Sequence, residues 1–218
     1  MPKAPPSKGI IAVYKPVGMT SHDVVNVIRR MTGERRVGHA GTLDPLASGV
    51  LVVGIGREAT RKLGEVVKKE KEYLATVRLG AFSTTDDEEG EKTEIAVSQK
   101  PSRRDVKKLL AGFVGIISQV PPRFSALKLG GKAAYKLARA GKEVSLAARK
   151  VEIKEIEFVS YRFPLIKLRV VTGPGVYIRS LARDIGEKLE TGGYLAALER
   201  TRVGDFKKRD ALKPFNLL

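Results

Sequence analysis

Apolar positions along the chain fall into two periods, and the switches between them mark out the elements. Residues 9–14 (GIIAVY) form a β-branched run closed by Lys15-Pro16 and read as a strand. Ser21 is the expected N-cap of a helix. Val24, Val27, Ile28 and Met31 recur there at helical spacing, and Gly33 is the stop. Residues 49–55 (GVLVVGI) are almost continuously apolar, as in a buried strand. Leu63 and the Val66-Val67 pair fit a short helix over 57–67, and 73–79 (YLATVRL) alternates as a strand. Ser102 caps a helix with Val106, Leu109, Leu110 and Phe113 on one face. Residues 151–159 and 165–171 read as strands. Residues 176–189 read as a helix carrying Tyr177, Arg179 and Arg183, and 195–206 as a short, basic and apolar tail. No internal repeat shows, and strands and helices do not alternate as βαβ units. The expectation is an α+β domain with a mixed, mostly antiparallel central sheet flanked by helices.

Three stretches lie outside these periods. Residues 1–8 hold three prolines and read as a disordered basic tail, leaving 9–218 as a single domain. Residues 84–92 (TTDDEEGEK) are the one acidic cluster and are expected to form a solvated turn. Residues 121–150 are basic and glycine-rich, with spaced aromatics Phe124 and Tyr135.

Charge narrows the functional classes. Lys and Arg number 41 against 24 Asp and Glu, a formal net charge of +17. A thermophile-type surface would bring both signs in near balance. This excess instead fits a polyanionic partner, whose phosphates such side chains neutralise with release of counterions. The chain has no cysteine and two histidines, His22 and His39, which excludes disulfides and thiolate chemistry and argues against a metal site. No run of about 18 apolar residues occurs to span a membrane, and the N-terminal residues lack a signal peptide's apolar run. A cytoplasmic protein is expected.

Residues 35–51 (RRVGHAGTLDPLASGVL) carry the candidate chemistry. Their glycines let backbone approach a ligand closely. Asp44 stands between Leu43 and Pro45. An Asp before Pro is commonly a turn or cap residue, and a carboxylate among apolar neighbours can also serve as nucleophile or base. Local chemistry leaves both readings open. His39 is similarly open to a structural role or a phosphate contact.

The stretch GHAGTLDPLASGVL resembles the signature motif of the TruB family of tRNA pseudouridine synthases. Other family motifs follow in order: Tyr14-Lys15-Pro16 with Gly18-Met19-Thr20-Ser21, Lys71-Glu72-Tyr73 with Leu79-Gly80, Pro121-Pro122 through Lys128, 175–181 (GVYIRSL) and 192–201. The resemblance implies the pseudouridine synthase fold, with 121–150 as an RNA-binding insertion, and a reaction that needs neither cofactor nor metal. It makes Asp44 the catalytic carboxylate. Tyr73 stacks on the flipped base, Tyr177 is a second active-site tyrosine, His39 contacts the RNA and Leu198 lines the base pocket. Arg179 lies against Asp44, and Lys15 with Pro16 buttresses the site. The substrate implied is uridine 55 in the TΨC stem-loop of tRNA, and the protein is expected to be a monomer. The competing readings are a guide-RNA-dependent pseudouridylase subunit and a non-catalytic RNA-binding or tRNA-folding module. Two departures stand out, since many relatives have histidine where Tyr194 stands and arginine where Glu199 stands. Relatives also usually continue into a small C-terminal RNA-binding domain, so a short form without it is expected.

Overall fold

The computed structural model describes residues 5–125, 127–141 and 144–213. Residues 1–4 of the expected tail and residues 142–143 of the basic insertion lie outside them.

The first elements follow their patterns. Strand β1 (Gly9–Lys15) leads to helix α1 (Ser21–Thr32). The cap is Thr20 rather than Ser21: Thr20 and Asp23 form a reciprocal capping box, and the Ser21 hydroxyl is used elsewhere. Gly33 ends α1 at φ 70°, a left-handed conformation that glycine adopts without cost. Then come β2 (Val37–Ala40), β3 (Ala47–Ile55) and α2 (Arg57–Val67). Strand β4 (Lys71–Leu79) buries every second residue, as its alternation requires.

The short pair β5 (Ala81–Ser83) and β6 (Lys92–Glu94) brackets the acidic stretch. Helix α3 (Arg103–Ala111) starts at the expected Ser102, which forms a capping box with Asp105, and β7 (Gly115–Gln119) follows. The insertion holds a small hairpin, β8 (Lys128–Leu129) and β9 (Lys132–Ala133), and the short helix α4 (Ala134–Arg139). The closing elements are β10 (Arg149–Arg162), β11 (Leu165–Thr172), α5 (Ile178–Lys188), β12 (Gly193–Val203) and β13 (Phe206–Lys207). Much of the segment 195–206, read from sequence only as a tail, is thus the strand β12.

The main sheet has nine strands in the order β1-β3-β12-β4-β11-β10-β7, with β2 on β3 and β13 on β12. It is mixed and mostly antiparallel, as expected. The chain forms two compact units. The first comprises residues 1–74, 171–174 and 198–218, and the second 75–170 and 175–197.

In the first unit β3 is buried on both faces. Leu51, Val53 and Ile55 join Val24, Val25 and Ile28 of α1 in one cluster. Val50 and Val52 join Leu63 and Val66 of α2 in another. This two-sided burial explains the unbroken apolar run, because neither face of the strand meets water. One edge of β3 pairs along its length with β1. Its other edge is divided: β12 runs parallel to Ala47–Gly49, and β2 runs antiparallel to Val52–Ile55.

In the second unit β10 pairs with β7, and α3 packs against β10 and α5. Helix α5 buries Ile178, Leu181, Ala182 and Ile185. A Cβ on its Gly186 would stand 2.2 Å from the Gly193 nitrogen, so only glycine admits this approach.

Candidate active site

Asp44 lies in the β2–β3 connection, and the surrounding residues grip that connection by its backbone. The buried Ser21 hydroxyl donates to the Leu43 carbonyl at 3.0 Å and accepts from the Leu43 N–H at 2.8 Å. The Gly18 N–H donates to the Pro45 carbonyl at 2.8 Å. Lys15, fully buried, donates to Met19 O at 2.7 Å, Pro16 O at 2.9 Å and Pro45 O at 3.4 Å. The Ala47 N–H reaches the Asp44 carbonyl at 3.0 Å, so Asp44 does open a turn. The turn fixes the backbone that carries the Asp44 carboxylate.

A residue not singled out in the sequence sits at the centre of this unit. Arg200 of β12 is 1% exposed. Its Nε donates to Val50 O at 2.7 Å and its NH2 to Gly41 O at 2.8 Å. The Tyr73 hydroxyl is a hydrogen-bond neighbour and Asp44 a charge neighbour. Burial pulls the guanidinium below its ordinary value, with Tyr73 and Asp44 opposing that pull. The same centre explains its neighbours. Burial, and then the charge of Arg200, lowers Lys71 to about 8. His39 is held below its usual value by burial first and then by Arg200 and His22, so it is neutral at neutral pH. Its buried Nδ1 has no protein partner among the described residues. Tyr73 is 6% exposed, on the buried face of β4 with Lys71. Leu198, two residues before Arg200, is half-buried and packs on the cluster that includes Leu43 and Ala47. The signal that could have found Arg200 is a charged residue two places from Leu198 on one face of a strand, but 195–206 was not read as a strand.

The second unit holds Tyr177 and Arg179. Tyr177 is the N-cap of α5, and its backbone is fixed by Gln119. The Tyr177 N–H donates to Gln119 Oε1 at 2.9 Å, and Gln119 Nε2 donates to Tyr177 O at 3.2 Å. Arg179 pairs with Asp87 at 3.4 Å and donates to Thr85 O at 3.3 Å and Phe124 O at 2.9 Å. Arg183 pairs with Asp86 at 2.9 Å and donates to Val120 O at 3.0 Å. The acidic stretch is the turn expected, with Glu88, Glu89 and Glu91 exposed, but its two aspartates are drawn inward. Asp87 is 2% exposed, and burial raises Asp86 against the lowering charges of Arg183 and Arg179. The arginines that bury these carboxylates lie about a hundred residues away, where local patterning has no reach.

Arg179, Ser180 and Arg183 also anchor the root of the insertion through Phe124 O and Val120 O. Within the insertion Arg123, Lys132 and Lys136 are exposed, as a phosphate-gripping surface needs. The side chains of Lys128, Arg139 and Lys142 lie outside the described residues. The two departures from the family pattern have local partners. Tyr194 is buried with Lys92 over its ring, and Glu199 accepts from Tyr14 and pairs with Lys208 at 2.7 Å.

Comparison with known proteins bears directly on these residues. The family model "TruB family pseudouridylate synthase (N terminal domain)" matches residues 29–178, which hold Asp44, Tyr73 and Tyr177. The chain belongs to the TruB family. Residues 179–216 match the model of the tRNA pseudouridylate synthase B C-terminal domain. A tRNA pseudouridine synthase B of Thermobifida fusca is 49% identical over 211 residues, covering 93% of this chain and 72% of that protein. One of Mycobacterium sp. (strain KMS) is 50% identical over 202 residues, covering 91% and 68%. Among solved structures, a Cbf5-Nop10-Gar1 complex has a chain 31% identical with a TM-score of 0.72. It covers 93% of this TruB-family chain, which spans 50% of it. An H/ACA RNP bound to a substrate RNA containing 2'-deoxyuridine gives 29% identity and a TM-score of 0.68, with 93% and 49% covered. Among the described residues no helix is long and apolar enough to cross a membrane, and no group of three His, Cys, Asp or Glu could hold a metal.

Proposed function

We propose that the chain isomerises uridine to pseudouridine at position 55 in the TΨC loop of tRNA, as a monomer in the cytoplasm and without a guide RNA. The N1–C1′ bond breaks, a C5–C1′ bond forms, C5 gives up its proton and N1 gains one. Nothing is oxidised or reduced, so the reaction asks for positioned side chains and no redox partner. Asp44 is the carboxylate beside the flipped nucleotide. The observation that carries this role is its connection, held by backbone through Ser21, Gly18 and Lys15, which presents the carboxylate in one place.

In this reading Tyr73 stacks on the extruded base, which offers a π-face whatever its sequence context. Tyr177 handles the C5 proton, Leu198 lines the pocket, and His39, neutral, makes a hydrogen bond to the RNA rather than an ion pair. Arg179 supports Asp44, and the exposed cations of the insertion grip the stem-loop.

The likeness to the Cbf5-containing complex favours one second reading, a subunit that works with a guide RNA. Purified protein, an unmodified tRNA transcript and a TΨC stem-loop separate the two. Pseudouridine mapped to position 55 with no added RNA is expected. Product only when a guide is supplied would overturn the stand-alone reading. Tyr73→Ala is expected to cost roughly 1–3 kcal/mol of base stacking, and unchanged binding and rate would remove the stacking role.

A further inference from the structure

The β3 edge has a seam. Pairing with β12 ends at Arg200↔Gly49, and pairing with β2 begins at Ala40↔Val52. The carbonyls of Val50 and Gly41 flank that seam, and the Arg200 side chain donates to both. Asp44 lies on the chain between them. The backbone is shaped around this side chain and its strand. A Cβ on Gly49, which stands at φ 107°, would come 2.2 Å from the Arg200 carbonyl oxygen. One on Gly41, at φ 73°, would come 3.4 Å from Arg200 NH1.

A buried guanidinium is costly unless its donors are used and its charge is answered. An apolar side chain of the same volume would fill the seam at lower cost but would leave two carbonyls unsatisfied. Here the donors serve those carbonyls, and Tyr73 and Asp44 oppose the pull of burial on the charge. Lys71 and His39 also feel this charge and are shifted by it.

We infer that Arg200 is a positioning residue for the reaction, holding the 41–50 segment that presents Asp44 and the Tyr73 ring in one arrangement. The inference rests on the function proposed above. Its cation also favours the ionised form of Asp44, with Lys71, His39 and Tyr73 as the other titratable groups near Arg200.

The test compares Arg200→Met and Arg200→Lys with the wild type in single-turnover assays on saturating tRNA, with tRNA affinity and a rate profile from pH 5 to 8. Folded Arg200→Met should bind tRNA within several-fold of wild type and lose on the order of 10²-fold in rate, as misplaced catalytic groups do. Its acid limb should move to higher pH, because Asp44 loses a cationic neighbour. Arg200→Lys keeps the charge and loses the fork, so its rate should fall between the two with the acid limb unmoved. Rates within twofold of wild type and an unmoved acid limb in Arg200→Met would overturn the inference. Where Arg200→Met does not fold, a wild-type rate in Arg200→Lys would overturn it. An inactive wild type would sink the proposed function and this inference with it, whereas an active wild type matched by both variants would sink only the role of Arg200.

Discussion

Two loops of this molecule carry carboxylates, and they are fastened in opposite ways. In the 41–46 connection a hydroxyl, a backbone N–H and two cations seize main-chain atoms on both sides of Asp44. In the 84–91 turn the arginines seize the carboxylates themselves, Asp87 by Arg179 and Asp86 by Arg183. Asp87 also accepts from the Thr85 hydroxyl and the Glu89 N–H. The first arrangement fixes the main chain that carries Asp44. The second uses up the side chains to fix the loop.

Asp87→Ala should break the comparison most visibly on the stability side. It removes the buried carboxylate that Arg179 pairs with, so a loss of about 3–5 kcal/mol is expected in denaturant unfolding. A loss below about 1 kcal/mol would mean that the pair does not hold the turn. Ser21→Ala should cost less, about 1–3 kcal/mol, because it leaves the Leu43 N–H and carbonyl without their hydroxyl. That corresponds to a melting temperature lower by roughly 2–4 °C per kcal/mol, together with slower turnover. An unchanged rate in a destabilised Ser21→Ala protein would separate the loop's stability from the placement of Asp44.

A pH dependence comes from Lys71. Its folded value, about 8, lies below its ordinary 10.5, so the fold disfavours the charged form. The penalty is complete below pH 8 and is relieved as pH rises toward 10.5, a gain of at most about 3 kcal/mol. Lys71→Met should lose this rise between pH 8 and 10, and a rise of the same size in that variant would assign it to other groups.

The sequence made some of this legible and hid the rest for physical reasons. The strands around residues 9–14, 49–55 and 73–79 and the helices near 24–31 and 106–113 show because their burial is periodic and local. The Asp44 segment is recognisable as a motif. Ser21 reads as a cap because serine before an apolar helix usually is one. The competing Thr20–Asp23 box left its hydroxyl to hold Leu43 instead. Strand β12 escaped because Glu199, Arg200 and Arg202 interrupt its apolar residues. The reason for a buried arginine lies some 150 residues away at Val50. The burial of Asp87 was hidden in the same way, since Arg179 comes to it only through the tertiary fold.

The central claim is that Asp44 performs the chemistry from a connection whose backbone is held in place. One paired measurement on Asp44→Asn tests this most directly: release of tritium from C5-labelled tRNA, with tRNA affinity and melting temperature taken on the same sample. The account predicts turnover below detection, affinity within several-fold of wild type and a folded protein whose melting temperature falls only by what the buried Arg200 charge loses with Asp44. Substantial residual turnover, or a protein that no longer folds, would contradict it.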